Sequence, residues 1–163
     1  ATSEADEEAA AEPEEAEPEP APEEEPEEPV ESSAASGIGD TITSDDGIEV
    51  TLDGVSYGVG TPNTWIIDEP KGALAGVQMD ILNGSNEPIV LSTSRVVAFI
   101  DGAEYEASAI LGPNGDWYLL EDINPRLGTE FTAYFDIPPG AEISQVEYRT
   151  GLIFGDTLLF ELQ

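Results

Sequence analysis

Between residues 47 and 58 the chain reads GIEVTLDGVSYG, and apolar and polar residues alternate along it. Ile48, Val50 and Leu52 fall on one side, Glu49, Thr51 and Asp53 on the other. A period of two is what a half-buried strand requires, because successive side chains of a strand point to opposite faces of the sheet. The same alternation returns in GVQMDILNG (76–84), with Val77, Met79 and Ile81 on the apolar side and Asn83-Gly84 as a turn. GTEFTAYFDIPPG (128–140) places Phe131, Ala133, Phe135 and Ile137 inward, and its Pro-Pro-Gly ends the strand because proline donates no ladder hydrogen bond. PIVLSTSRVVAFIDGAEYEAS (88–108) predicts one strand, or two, entering a hairpin at Asp101-Gly102, a dipeptide suited to the positive φ of a tight turn. SQVEYRTG (144–151) and DTLLFELQ (156–163) supply the last two strands, with Leu158, Phe160 and Leu162 sharing a face. No stretch sustains an apolar stripe at helical spacing. Seven or eight short strands separated by turn signals predict an all-β, antiparallel, immunoglobulin-like sandwich over residues 37–163.

Residues 1–36 break this pattern. They hold fifteen of the 36 acids, six prolines and no Lys, Arg or aromatic residue, and Val30 is their one branched aliphatic. Fixing a residue's backbone costs roughly 1–2 kcal/mol, and a segment without apolar side chains has nothing to offset it. The expectation is a disordered acidic stalk, extended by charge repulsion and proline. The remaining 21 acids face all four basic residues of the chain, which gives the sandwich a net charge of −17. Nucleic acid is therefore excluded as a partner, since lysine and arginine must displace counterions from phosphates. Anionic membrane surfaces are disfavoured by the same sign.

The order of strand-end signals carries a family resemblance. An apolar strand ends in asparagine (Val77, Met79, Ile81, Asn83), then comes D-G-x-x-Y (Asp101, Gly102, Tyr105), then F-D-x-P (Phe135, Asp136, Pro138). This resembles a bacterial family of uncharacterised immunoglobulin-like extracellular domains, often borne on lipoproteins and similar in fold to an immunoprotective secreted antigen. The resemblance implies a sandwich fold and an extracytoplasmic location, at the bacterial cell surface or secreted, and brings no catalytic residues with it. One departure is visible. The family has Pro-Gly just before the F-D-x-P strand, whereas this chain reads Asn124-Pro125-Arg126-Leu127-Gly128, so an altered turn is expected there. A lipidated cysteine upstream of Ala1 would fit the acidic stalk, and membrane association is expected only through such an anchor.

Candidate chemistry is sparse. The chain has no His and no Cys, which removes the commonest general base and metal ligand and the thiol nucleophile. GALAG and GVSYGVG lack the lysine and helix of a phosphate-binding loop. A hydrolase working through carboxylates alone is the remaining catalytic alternative, and no pair is singled out for it. The sequence therefore predicts a non-enzymatic module without a cofactor, whose partner is a protein or small extracellular ligand. Calcium, which takes oxygen ligands from loops, is an alternative at Asp45, Asp46, Asn114, Asp116 and Asp122, where turn chemistry explains the same residues.

Trp65, Trp117 and Tyr118 are the candidate binding residues. Both tryptophans lie in long Gly/Pro-rich connections, where binding groups are commonly carried, and both sit beside apolar neighbours that would let them plug an end of the sandwich. Strand parity discriminates. One strand over 88–100 would put the two tryptophan loops at opposite ends, and a break at Ser92-Thr93-Ser94 would put them at the same end.

Overall fold

The computed structural model describes residues 35–62 and 69–162. The stretch read as a stalk, up to residue 34, and the candidate Trp65 lie outside the described residues. The described chain forms eleven strands and no α-helix: β1 (Thr41–Thr43), β2 (Ile48–Tyr57), β3 (Ala73–Asn83), β4 (Ile89–Leu91), β5 (Val96–Ile100), β6 (Ala103–Glu106), β7 (Ala109–Leu111), β8 (Glu121–Ile123), β9 (Gly128–Ile137), β10 (Gln145–Arg149) and β11 (Thr157–Glu161).

They pair antiparallel throughout, as a five-stranded sheet ordered β1-β2-β3-β9-β7, a four-stranded sheet ordered β11-β10-β5-β6, and a small β4-β8 ribbon. This is the antiparallel β-sandwich that the alternation predicted. The strand count exceeds seven or eight because β1, β4, β7 and β8 are three residues each. Three residues are too few to display a period.

The core follows from the alternation. Val50, Leu52, Val77, Met79, Ile81, Phe131, Ala133 and Phe135 project from the larger sheet, and all are buried. They meet Val96, Ala98, Val146, Tyr148, Leu158 and Phe160 from the smaller one. Burial withholds the charged form of Tyr148 and pushes its phenol up to about 12.

Two ends can be defined by register. At the entry end, Ser36 bridges to Phe160 where the described chain comes in, and Tyr57, Ala73, Ile137 and Ser144 lie nearby. At the far end lie the β1–β2 turn, Asn83, the 124–127 turn and the β10–β11 connection. A 3-10 turn at Thr93–Arg95 does break the segment 88–100, but β4 and β5 continue in one direction across it. The β2–β3 connection therefore leaves from Tyr57 at the entry end, while β7 runs antiparallel to β9 and delivers residues 112–120 toward the far end.

Candidate functional site

The family-like motif residues hold backbone in place. Asn83 is fully buried and saturated: its Nδ2 donates to the carbonyls of Glu87 (2.8 Å) and Ile123 (2.9 Å). Its Oδ1 accepts from the Ser85 amide (3.0 Å) and hydroxyl (2.6 Å). One side chain thus ties β3, the 84–88 connection and β8 together at the far end. Asp136 accepts the amides of Lys71 (2.8 Å) and Gly72 (2.7 Å), fixing the approach to β3 at the entry end. Asp101 and Gly102, at φ 49° and 79°, form the predicted hairpin turn.

The turn at 124–127 shows what replaces Pro-Gly. Leu127 N–H closes onto the Asn124 carbonyl (3.1 Å), and Arg126 stands at φ 68°, where glycine is ordinarily preferred. Such a backbone costs an L-residue about 1–2 kcal/mol. The guanidinium offsets this by donating to the carbonyls of Gly84 and Ser85 and to Asn86 Oδ1. Arginine at this turn is a brace.

Trp117 and Tyr118 are half-buried. The Tyr118 amide donates to the Ile110 carbonyl (2.9 Å), its ring packs against the core and lies over Gly112, and its hydroxyl meets Thr129 Oγ1 at 3.3 Å. Trp117 bridges to Leu111, and its Nε1 is buried without a hydrogen-bond partner. These two residues fold the 112–118 loop back onto β7, and neither opens a cleft.

The acidic candidates do not converge. Asp45 and Asp46 occupy the β1–β2 turn, Asn114 and Asp116 the turn after β7, and Asp122 pairs with Val90 on the β4–β8 ribbon. Among the described residues, no three acidic side chains are grouped closely enough to hold a metal ion, and none is buried. Asp53 lies on the outer face of the larger sheet; partial burial raises its pKa, and Asp80 and Glu130 add to the rise. Asp80 and Glu130 stand directly opposite each other across β3 and β9, a repulsive pair.

The feature that the sequence candidates missed is at the far end. Leu152, Ile153 and Phe154, at the tip between β10 and β11, are 68%, 86% and 90% exposed. Soluble domains seldom leave contiguous large apolar side chains in water without use for them. The neck beneath the tip is built. Thr150 N–H donates to the Asp156 carbonyl (3.0 Å), and Asp156 N–H to Thr150 Oγ1 (2.8 Å). Gly151 and Gly155 cross so closely that a Cβ on Gly151 would strike the Phe154 carbonyl. Arg95 clamps the carbonyls of Arg149 and Thr150, and the Asp45 amide donates to Asp156 Oδ2 (2.8 Å). Three neighbouring apolar residues between two glycines, inside a predicted hairpin connection, are the signal that could have revealed the tip.

No protein-family model matches the chain, and no curated protein matches it. Solved bacterial structures do. A Bacillus subtilis protein, YcdA, described as a candidate lipoprotein, superposes with a TM-score of 0.55 at 16% identity, over 76% of this chain and 38% of its own. This chain thus spans well under half of YcdA. The secreted protein MPT63 of Mycobacterium tuberculosis gives 0.55 at 15% identity, over 78% of this chain and 95% of that one. An uncharacterised β-sandwich protein of Clostridium difficile gives 0.53 at 16% identity, over 83% and 100%. Identity at this level carries the fold alone. The fold is a β-sandwich shared with these bacterial structures.

Proposed function

We propose that this chain is a non-catalytic extracytoplasmic binding module of the immunoglobulin-like kind, held on its acidic N-terminal stretch as a stalk, with a lipid anchor upstream. Contact is made through the far-end tip. The observation that carries this reading is the exposure of Leu152, Ile153 and Phe154 on a braced neck, at the end opposite the entry of the chain. A module tethered at one end presents the other, and the tip stands where a partner would be met. Neighbours that include a secreted protein and a candidate lipoprotein support the location.

The binding test is cosedimentation of the purified protein with isolated envelopes of the cell that makes it. Wild-type protein should pellet with them, and a chain carrying Ile153→Ser and Phe154→Ser should remain in solution. Equal retention of both would refute the tip as the contact. Detergent partitioning of the native protein tests the anchor, and recovery in the aqueous phase alone would contradict it. The calcium alternative predicts a rise in melting temperature on adding millimolar calcium, through binding linked to folding. The reading proposed here expects no shift.

A further inference from the structure

We propose, resting on the reading of the tip as the contact, that the tip and the groove at its base receive a basic polypeptide segment. An apolar side chain of that segment packs on Leu152, Ile153 and Phe154, and a neighbouring lysine or arginine enters the groove.

The groove starts where the neck of the tip starts. Its volume is about 460 Å³, and Thr150 lines it together with Asp46 of the β1–β2 turn and Glu87 of the 84–88 connection. Pro88 and Ile89 contribute an apolar share of the lining. Asp46 and Glu87 are exposed, as is Asp45 next to Asp46. Asp156 adds a further carboxylate on the tip's own connection, where its Oδ2 accepts the Asp45 amide at 2.8 Å. An apolar tip and an acidic collar are thus folded to one place from separate parts of the chain.

The cations at this end are already committed. Arg95 donates to the carbonyls of Arg149 and Thr150, and Arg126 to those of Gly84 and Ser85. Arg149 is ion-paired with Glu104 at 3.0 Å and with Glu147 at 3.2 Å. Among the described residues the ion pairs are those two, so the collar of Asp45, Asp46, Glu87 and Asp156 has no cationic partner there. Charge complementarity then selects the occupant. An acidic surface meets the collar with like charge, whereas lysine or arginine supplies the counter-charge. Exposed ion pairs are weak singly, so the collar selects and orients while the apolar contact holds. Affinity should therefore reside in Phe154, and sensitivity to salt in Asp46 and Glu87.

Amide NMR of the full chain tests this with a short lysine–leucine peptide as the probe, because each perturbed residue is located individually. Resonances of residues 150–156 and of Asp45, Asp46 and Glu87 should shift on titration. Phe154→Ser should weaken binding at the tip about tenfold or more. Asp46→Asn combined with Glu87→Gln should weaken it roughly fivefold in dilute buffer and hardly at all in about 1 M salt, where the Debye length is only about 3 Å. These positions are exposed, so melting temperatures should stay close to wild type. A glutamate–leucine peptide should leave the tip unshifted. Shifts confined to residues 1–36 would overturn the proposal, since the acidic N-terminal stretch alone would then hold the peptide. Equal binding by the charge-neutralised chain in dilute buffer, or equal shifts with the glutamate peptide, would overturn it too. So would flotation with phosphatidylcholine vesicles that is lost in Phe154→Ser, the tip's occupant then being a bilayer. If the lysine–leucine peptide never reaches the tip yet envelope cosedimentation still depends on Ile153 and Phe154, the basic partner falls while the binding role of the tip stands.

Discussion

Two connections in the four-stranded sheet join neighbouring antiparallel strands, and they are built on opposite lines. The β5–β6 turn spends two residues, Asp101 and Gly102, both polar or small, both with positive φ, and does nothing beyond reversing the chain. The β10–β11 connection runs through residues 150–156, pinches its neck with glycines, and holds three large apolar side chains in water. The first is the minimum a hairpin needs. The second exceeds that minimum in a way that adds nothing to folding, since exposed leucine, isoleucine and phenylalanine gain no burial. A loop that forgoes solubility without gaining stability is best explained by what it touches.

Breaking the platform beneath the tip should have the largest effect on the fold. Asn83→Ala removes four side-chain hydrogen bonds and strands the Ile123 carbonyl in a buried site, which should cost about 2–4 kcal/mol of unfolding free energy in urea denaturation. The minimal turn comes next. A Cβ at Gly102 meets nothing within 4 Å, so Gly102→Ala isolates the conformational cost of a positive φ, about 1–2 kcal/mol.

Smaller still is the effect of charge on the outer face of the larger sheet. The carboxyl of Asp53 is raised by desolvation, then by Asp80 and Glu130. A folded-state pKa above the unfolded one means that the ionised group opposes folding at neutral pH, and that this penalty disappears as pH falls and the native state takes up the proton. Asp53→Asn should therefore raise the melting temperature slightly at pH 7 and leave it near wild type at pH 3. The surface position limits the gain to well under about 1 kcal/mol. Last is the tip itself. Replacing Leu152, Ile153 and Phe154 together by serine should change unfolding free energy by less than about 0.5 kcal/mol, against the loss of binding described above. A large destabilisation would mean that the tip packs somewhere, and the contrast between the two connections would collapse.

The sandwich was legible because its long strands each keep one buried face. Val50 and Leu52, Val77 through Ile81, and Phe131 through Ile137 lie on the predicted sides, and burial confirms each. The short strands were not legible, since β4 and β8 hold their places through pairing and through Asn83 rather than through any period of their own. The family-like motifs were read correctly as strand ends, and the structure gives the reason: Asn83 and Asp136 satisfy backbone groups that would otherwise be unpaired. The binding candidates were chosen as large aromatics in long Gly/Pro-rich connections. Trp117 and Tyr118 satisfy that criterion and are half-buried, whereas the exposed tip consists of residues that also fill cores. Composition cannot separate a core leucine from an exposed one. Position in a turn can.

The most direct measurement is fluorine NMR of 4-fluorophenylalanine placed at position 154. In dilute protein the resonance should be sharp, with the solvent isotope shift of a ring in water. Adding envelopes should move and broaden it as the ring leaves water. A ring already shielded in the dilute protein, or one whose signal stays the same with envelopes present, would contradict the assignment of this loop to binding.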